Sequence, residues 1–172
     1  PRNFGKTLET TNYATIASIQ LLLLSLLWSP SSIIFYDLKY PNNILNSLLF
    51  IFSWVLLSIS SFQAGYQVQT GSLGWTSMFF LRKPIFPPMP TKGFFKLIRH
   101  PIYFSFCLVL WTPPTMTLDL FLVALIYTFY CFFAPILKER RFIKIYGVSF
   151  LEYKQMTPYF FPKNILNFLK KS

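Results

Sequence analysis

Residues 99–141 read RHPIYFSFCLVLWTPPTMTLDLFLVALIYTFYCFFAPILKERR. Two apolar runs, 102–111 and 118–137, flank Thr112-Pro113-Pro114-Thr115-Met116-Thr117, and both outer ends are basic. Adjacent prolines remove two backbone donors and fix two φ angles, so the centre reads as a tight turn and the whole as a helical hairpin. The longer run approaches the roughly 20 residues that cross a hydrocarbon core of about 30 Å. The shorter run does so only if it extends back through 94–98. Upstream, the apolar runs 13–28 and 44–62 have spanning length, with Pro30 ending or kinking the first before 33–36. The expected fold is an all-α integral membrane protein of about four spans, the last two a hairpin followed by a cytoplasmic helical tail.

Charge orients these spans. Arg2 and Lys6 precede the first, and Arg82, Lys83, Lys92, Lys96 and Arg99 separate the second from the third. Lys138, Arg140, Arg141, Lys144, Lys154, Lys163, Lys170 and Lys171 follow the fourth, which leaves Lys39 alone for the opposite side. The positive-inside rule then places both termini and the central loop in the cytoplasm. The chain divides accordingly into a two-span segment (1–63), a Pro-rich cytoplasmic loop (64–98), and the hairpin with its tail (99–172).

Composition excludes a soluble globular domain. Charged residues make up 12% of the 172 and aromatic residues 20%, against about 25% charged in an ordinary soluble domain. The net charge of +11 sits beside apolar runs, which points to anionic headgroups or an anionic ligand and away from nucleic acid. Cys107 and Cys131 both lie inside apolar runs, and with His100 the single histidine no metal site is expected. The polar start, 1–12, does not read as a secretory signal. In the loop, Pro84, Pro87, Pro88 and Pro90 favour an extended path. In the tail, a helix to Tyr146 should end on a left-handed Gly147. A second helix to Met156 should open with Ser149 and Glu152 in capping-box spacing, and 164–171 suits an interfacial helix.

The hairpin brings Arg99, His100 and Tyr103 to the same membrane face as Glu139 and Arg140. Arginine and histidine can hold a carboxylate, and glutamate can accept from hydroxyls. The plain alternative is that span-end arginines and lysines only set topology and that Tyr103 is a belt aromatic. Glu139 stands apart, as the one acid between Asp119 and Glu152, at a membrane boundary.

Arg-His-Pro-x-Tyr opening a span, a short hairpin, a Glu-Arg pair, then Gly147, Tyr153 and Pro158 together resemble the isoprenylcysteine carboxyl methyltransferase and phospholipid methyltransferase superfamily. The likeness covers roughly 91–162, and the turn 111–117 is similar to that of the methanethiol S-methyltransferase branch. The resemblance implies an S-adenosylmethionine-dependent enzyme whose cofactor lies between the last two spans and the tail. It assigns Arg99, His100, Tyr103, Glu139 and Tyr153 to cofactor binding, and places Arg140 with Glu139 at the reacting centre. The acceptor would be a small thiol, an isoprenylcysteine carboxylate or another lipophilic nucleophile. The chain departs from the family where Lys138 replaces a usual glutamate, Ser105 a glycine and Phe150 a tyrosine. These departures keep open a different class, a non-enzymatic membrane subunit that retains the fold and works with a membrane protein partner.

Overall fold

The computed structural model describes residues 4–39 and 41–161. The elements run α1 (Phe4–Leu27), β1 (Ile34–Asp37), α2 (Asn42–Gln63), α3 (Tyr66–Gln69), α4 (Ser72–Phe79), α5 (Phe94–Leu97), α6 (Pro101–Trp111), β2 (Thr115–Thr117), α7 (Leu118–Tyr146) and α8 (Val148–Met156). Among the described residues, three helices are long and apolar enough to cross a membrane: Thr7–Leu27, Asn43–Gln63 and Leu118–Tyr146. Their leucines, isoleucines and phenylalanines are largely exposed, a surface that water would not tolerate and lipid would. The third apolar segment is shorter than a span. α6 has 11 residues, rising about 16 Å, because its expected backward extension breaks. α5 stops at Leu97, Ile98 is extended, and Pro101 disfavours helical geometry in the residue before it while fitting the first position of a new helix.

The chain forms two compact units, one of Pro1–Ser29 with Ser61–Pro90, the other of Pro30–Ser60 with Thr91–Ser172. In the first, the front of the expected loop is helical. Gly65 (φ 91°) and Gly71 (φ 72°) turn the chain into α3 and α4, and α4 packs on α1. The Thr11 hydroxyl donates to the Gly71 carbonyl and accepts the Trp75 N–H at 3.0 Å. Gly74 permits the approach, since a Cβ there would lie 2.5 Å from the Thr7 carbonyl oxygen. Residues 82–91 carry no regular structure, as their four prolines require.

In the second unit β1 and β2 pair antiparallel, with Ile34 opposite Thr117 and Asp37 opposite Thr115. This ladder departs from the all-α expectation. α1 ends at Leu27, before Pro30, and the β-branched and aromatic run Ile33–Tyr36 finds a strand partner instead of resuming a helix. Donors from outside satisfy the carbonyls of the Pro113-Pro114 turn. Leu38 N–H donates to Pro114, and the Asn46 side-chain amide donates to Thr112 and Pro113, both at 2.9 Å.

Across the turn, α6 and α7 run side by side in opposite directions. Trp111 Nε1 donates to Thr128 at 2.8 Å, Phe106 meets Tyr127 and Tyr103 meets Tyr130. α7 has 29 residues, and Lys138 stands about 30 Å along it from Leu118. The charged run that begins at Lys138 therefore starts one hydrocarbon thickness from the other end.

Gly147 closes α7 with φ 56° and ψ −126°. The positive φ is as expected, but ψ lies outside the left-handed helical well, and Gly147 serves at once as the N-cap of α8. α8 thus starts at Val148. Ser149 falls inside the helix, and the expected capping box with Glu152 does not form. The interfacial helix expected at 164–171 lies outside the described residues.

Candidate functional site

Glu139 is the centre of the site. Its side chain is 7% exposed, and three donors from two segments converge on it. Arg99 Nη1, from the linker before α6, reaches Oε1 at 2.7 Å. His100 Nε2 lies 3.0 Å from the same oxygen. Lys154 Nζ, from α8, lies 2.9 Å from Oε2. Because a carboxylate only accepts, Nε2 carries the histidine proton and donates it. Of about four acceptor positions on the two oxygens, three are taken and one remains for a ligand hydroxyl or ammonium.

Local sequence puts these groups in place. His100 is the N-cap of α6, so Pro101 fixes where its ring begins. The Arg99 backbone N–H donates to the Pro158 carbonyl at 2.9 Å, tying the linker to the segment after α8. The Arg99 guanidinium lies 5.3 Å from the centre of the Tyr159 ring, and His100 meets the same ring edge-on at 4.8 Å. Tyr159 is anchored by its hydroxyl, which donates to the Phe132 carbonyl at 2.8 Å. Arg99 Nε is buried and has no partner, although its side chain is only 9% exposed.

Burial lowers the pKa of His100, and the hydrogen bond to Glu139 opposes that without reversing it. His100 is therefore neutral at pH 7. A group with a depressed folded pKa stabilises the fold above its unfolded value, about 6.5, and that contribution is lost as pH falls through the folded value. Thermal unfolding of the purified chain should show Tm falling from pH 7.5 to pH 5, and His100→Gln should flatten that dependence. An unchanged slope in the variant would remove His100 as its origin.

The other expected residues divide. Tyr103 lies on the next turn of α6, its ring 6.0 Å from that of His100. Tyr153 is buried and its hydroxyl donates to the Phe95 carbonyl, while burial pushes its pKa up to about 12. That hydroxyl ties α8 to α5. Arg140 is exposed and has no ion pair among the described residues. It sits about 100° around α7 from Glu139, away from the three donors. Lys154 and Tyr159 were not anticipated. The signal that could have found Lys154 is the isolation of Glu139, a buried acid that needed a second cation. Lys138 stands beside Glu139 with its Nζ over the Tyr103 and Phe142 rings, at 5.8 and 5.5 Å.

Fold and site together define a mostly helical chain with membrane-length helices and a buried carboxylate inside the last of them, held by three basic side chains. The chain is similar to methanethiol S-methyltransferase 1 of Bradyrhizobium diazoefficiens, 30% identical over 92% of this chain and 56% of that protein. It is also similar to the methanethiol S-methyltransferase of Crocosphaera subtropica, 28% identical over 94% of this chain and 64% of that one. A Pseudomonas methanethiol S-methyltransferase is 27% identical over 91% of this chain and 61% of its own length. These relatives bear out the resemblance read from the Arg-His-Pro-x-Tyr and Glu-Arg motifs. The chain spans 56–64% of the length of these three relatives. No family model matches the chain, and no solved structure matches it.

Proposed function

We propose that this chain is an integral membrane methyltransferase that takes its methyl group from S-adenosylmethionine and gives it to a small thiol. The observation that carries the reading is Glu139, about two turns before the end of α7, with its donors. The residues suit the cofactor. Arg99 Nε is a buried donor without an acceptor, which fits a carboxylate. The remaining acceptor position on Glu139 fits a ribose hydroxyl or an ammonium. When bound, the sulfonium supplies an electrophilic methyl group. The chain's own part is to fix the donor's polar end with Arg99, His100 and Glu139, and to keep water from the reacting atoms with Tyr103 and Tyr159. The names of the relatives support a small thiol as acceptor.

The topology proposed with this function has four passes: α1, α2, a third made of α6 together with the non-helical residues on either side of it, and α7. The β1–β2 ladder supports it, since it joins the segment before α2 to the residues that open α7. Both helices then leave the same face, and α6 must return the chain between them. With the basic segments cytoplasmic, an impermeant amine reagent applied to intact cells should modify Lys39 and spare Lys83. Equal modification would overturn the orientation.

The function is tested by incubating purified chain with methyl-labelled S-adenosylmethionine and methanethiol. The expected product is labelled dimethyl sulfide, formed in proportion to protein and abolished by Glu139→Ala. Label that reaches no thiol under any condition would reject the reading.

A further inference from the structure

Lys138 is a cation that the site has no internal use for. Glu139 already meets Arg99 and Lys154, so one carboxylate faces three fixed positive charges once Lys138 is included. Lys138 itself has no ion pair among the described residues. A lysine that only marks the end of a span extends its ammonium towards water. This one is half-buried, with its ammonium over the rings of Tyr103 and Phe142. Those rings hold it by weak attraction to their faces and leave its charge uncompensated. From Tyr103 a run of touching aromatics, Tyr130, Tyr127 and Phe106, follows the contact between α6 and α7. An apolar molecule arriving along that track meets Lys138 at its end.

We propose that Lys138 receives the acceptor as an anion, holding a thiolate sulfur beside the donor's methyl group. This rests on the function proposed above and adds the ionic form of the substrate and the residue that selects it. The charge sum favours it. A sulfonium donor with one ammonium and one carboxylate carries a net +1, so it adds positive charge to a site already in excess. A neutral acceptor would leave that excess in place, whereas a thiolate reduces it. The thiol proton passes to water before the sulfur reaches Lys138. The sulfur's electron pair then forms the new S–CH3 bond, the donor's S–CH3 bond breaks, and that bond's electrons stay on the donor sulfur as a neutral thioether.

Stabilising a thiolate also weakens it as a nucleophile, but by less. With a Brønsted coefficient of about 0.4–0.5, each unit by which the thiol's pKa falls raises the thiolate population about tenfold while lowering intrinsic reactivity about threefold. The net gain is roughly threefold per unit wherever the thiol would otherwise stay protonated. The titratable and charged groups facing Lys138 are Tyr103 and His100 at the start of α6 and Glu139 and Arg141 on its own helix; the tail's Lys154 and Tyr159 lie one contact further, on Glu139 and His100. Lys138→Met removes the charge and keeps an apolar stem in the same rings, and Lys138→Arg keeps the charge.

The test needs no methyl donor. An aryl thiol whose thiolate absorbs at longer wavelength than the thiol is titrated with pH in the presence of excess chain in detergent. The bound thiol should ionise at least about one unit lower with wild type than in micelles alone, a tenfold change in thiolate fraction. Lys138→Arg should keep the shift and Lys138→Met should lose it. Equal shifts in wild type and Lys138→Met, or no shift in wild type, would overturn the proposal. The two readings fail separately. Labelled methyl transfer to methanethiol with unaltered thiol ionisation rejects only the role of Lys138. A thiolate shift without any methyl transfer rejects the enzyme.

Discussion

Glu139→Ala should unfold the site and lose cofactor binding together. The substitution leaves the Arg99 guanidinium, 9% exposed, and the His100 ring, 5% exposed, without their acceptor. Removing one partner from a buried charged pair typically costs about 3–5 kcal/mol, most of it from the stranded charge. Lys154 is 42% exposed and returns to solvent, so it contributes little to that cost. In a chain of this length the loss corresponds to a fall in Tm on the order of 10 °C, measured by thermal unfolding in detergent. Glu139→Gln separates shape from charge. It keeps the volume but turns an amide N–H₂ towards donors, so affinity for S-adenosylmethionine should fall although the protein remains folded. A Glu139→Ala protein as stable as wild type would mean that the three contacts do not order this region.

The second large effect belongs to the other unit. Gly74→Ala should destabilise the packing of α4 on α1, because the added Cβ would stand 2.5 Å from the Thr7 carbonyl oxygen and 2.6 Å from the Thr11 hydroxyl. A backbone oxygen cannot swing aside as a side chain can, so the helices must separate. Overpacking of this kind costs about 1–3 kcal/mol. It also loosens the Thr11 hydroxyl that bridges Gly71 and Trp75. Limited trypsinolysis should read this as faster cleavage after Arg82, which lies three residues past the end of α4. Cleavage at the wild-type rate would contradict the close approach.

The pattern of apolar runs and charges was legible in the sequence because span length and the Pro-Pro turn are local properties. So were Arg99, His100 and Glu139, since a lone acid at a membrane boundary has few other uses. What escaped depended on direction. Lys154 meets Glu139 only because Gly147, with φ 56° and ψ −126°, turns α8 back beside α7, and no spacing rule encodes that angle. The β1–β2 ladder pairs segments about eighty residues apart, beyond the reach of local propensity. Arg140 shows the converse. Adjacent to Glu139 in sequence, it is a third of a helical turn away in space and exposed, whereas Lys138, read as a departure from the family, lies against Tyr103.

Calorimetric titration of the purified chain with S-adenosylmethionine tests the central claim most directly. Saturable binding, weakened at least about tenfold by Glu139→Gln and by Arg99→Met, is the predicted result. Absence of binding at millimolar cofactor by folded wild-type chain would contradict it.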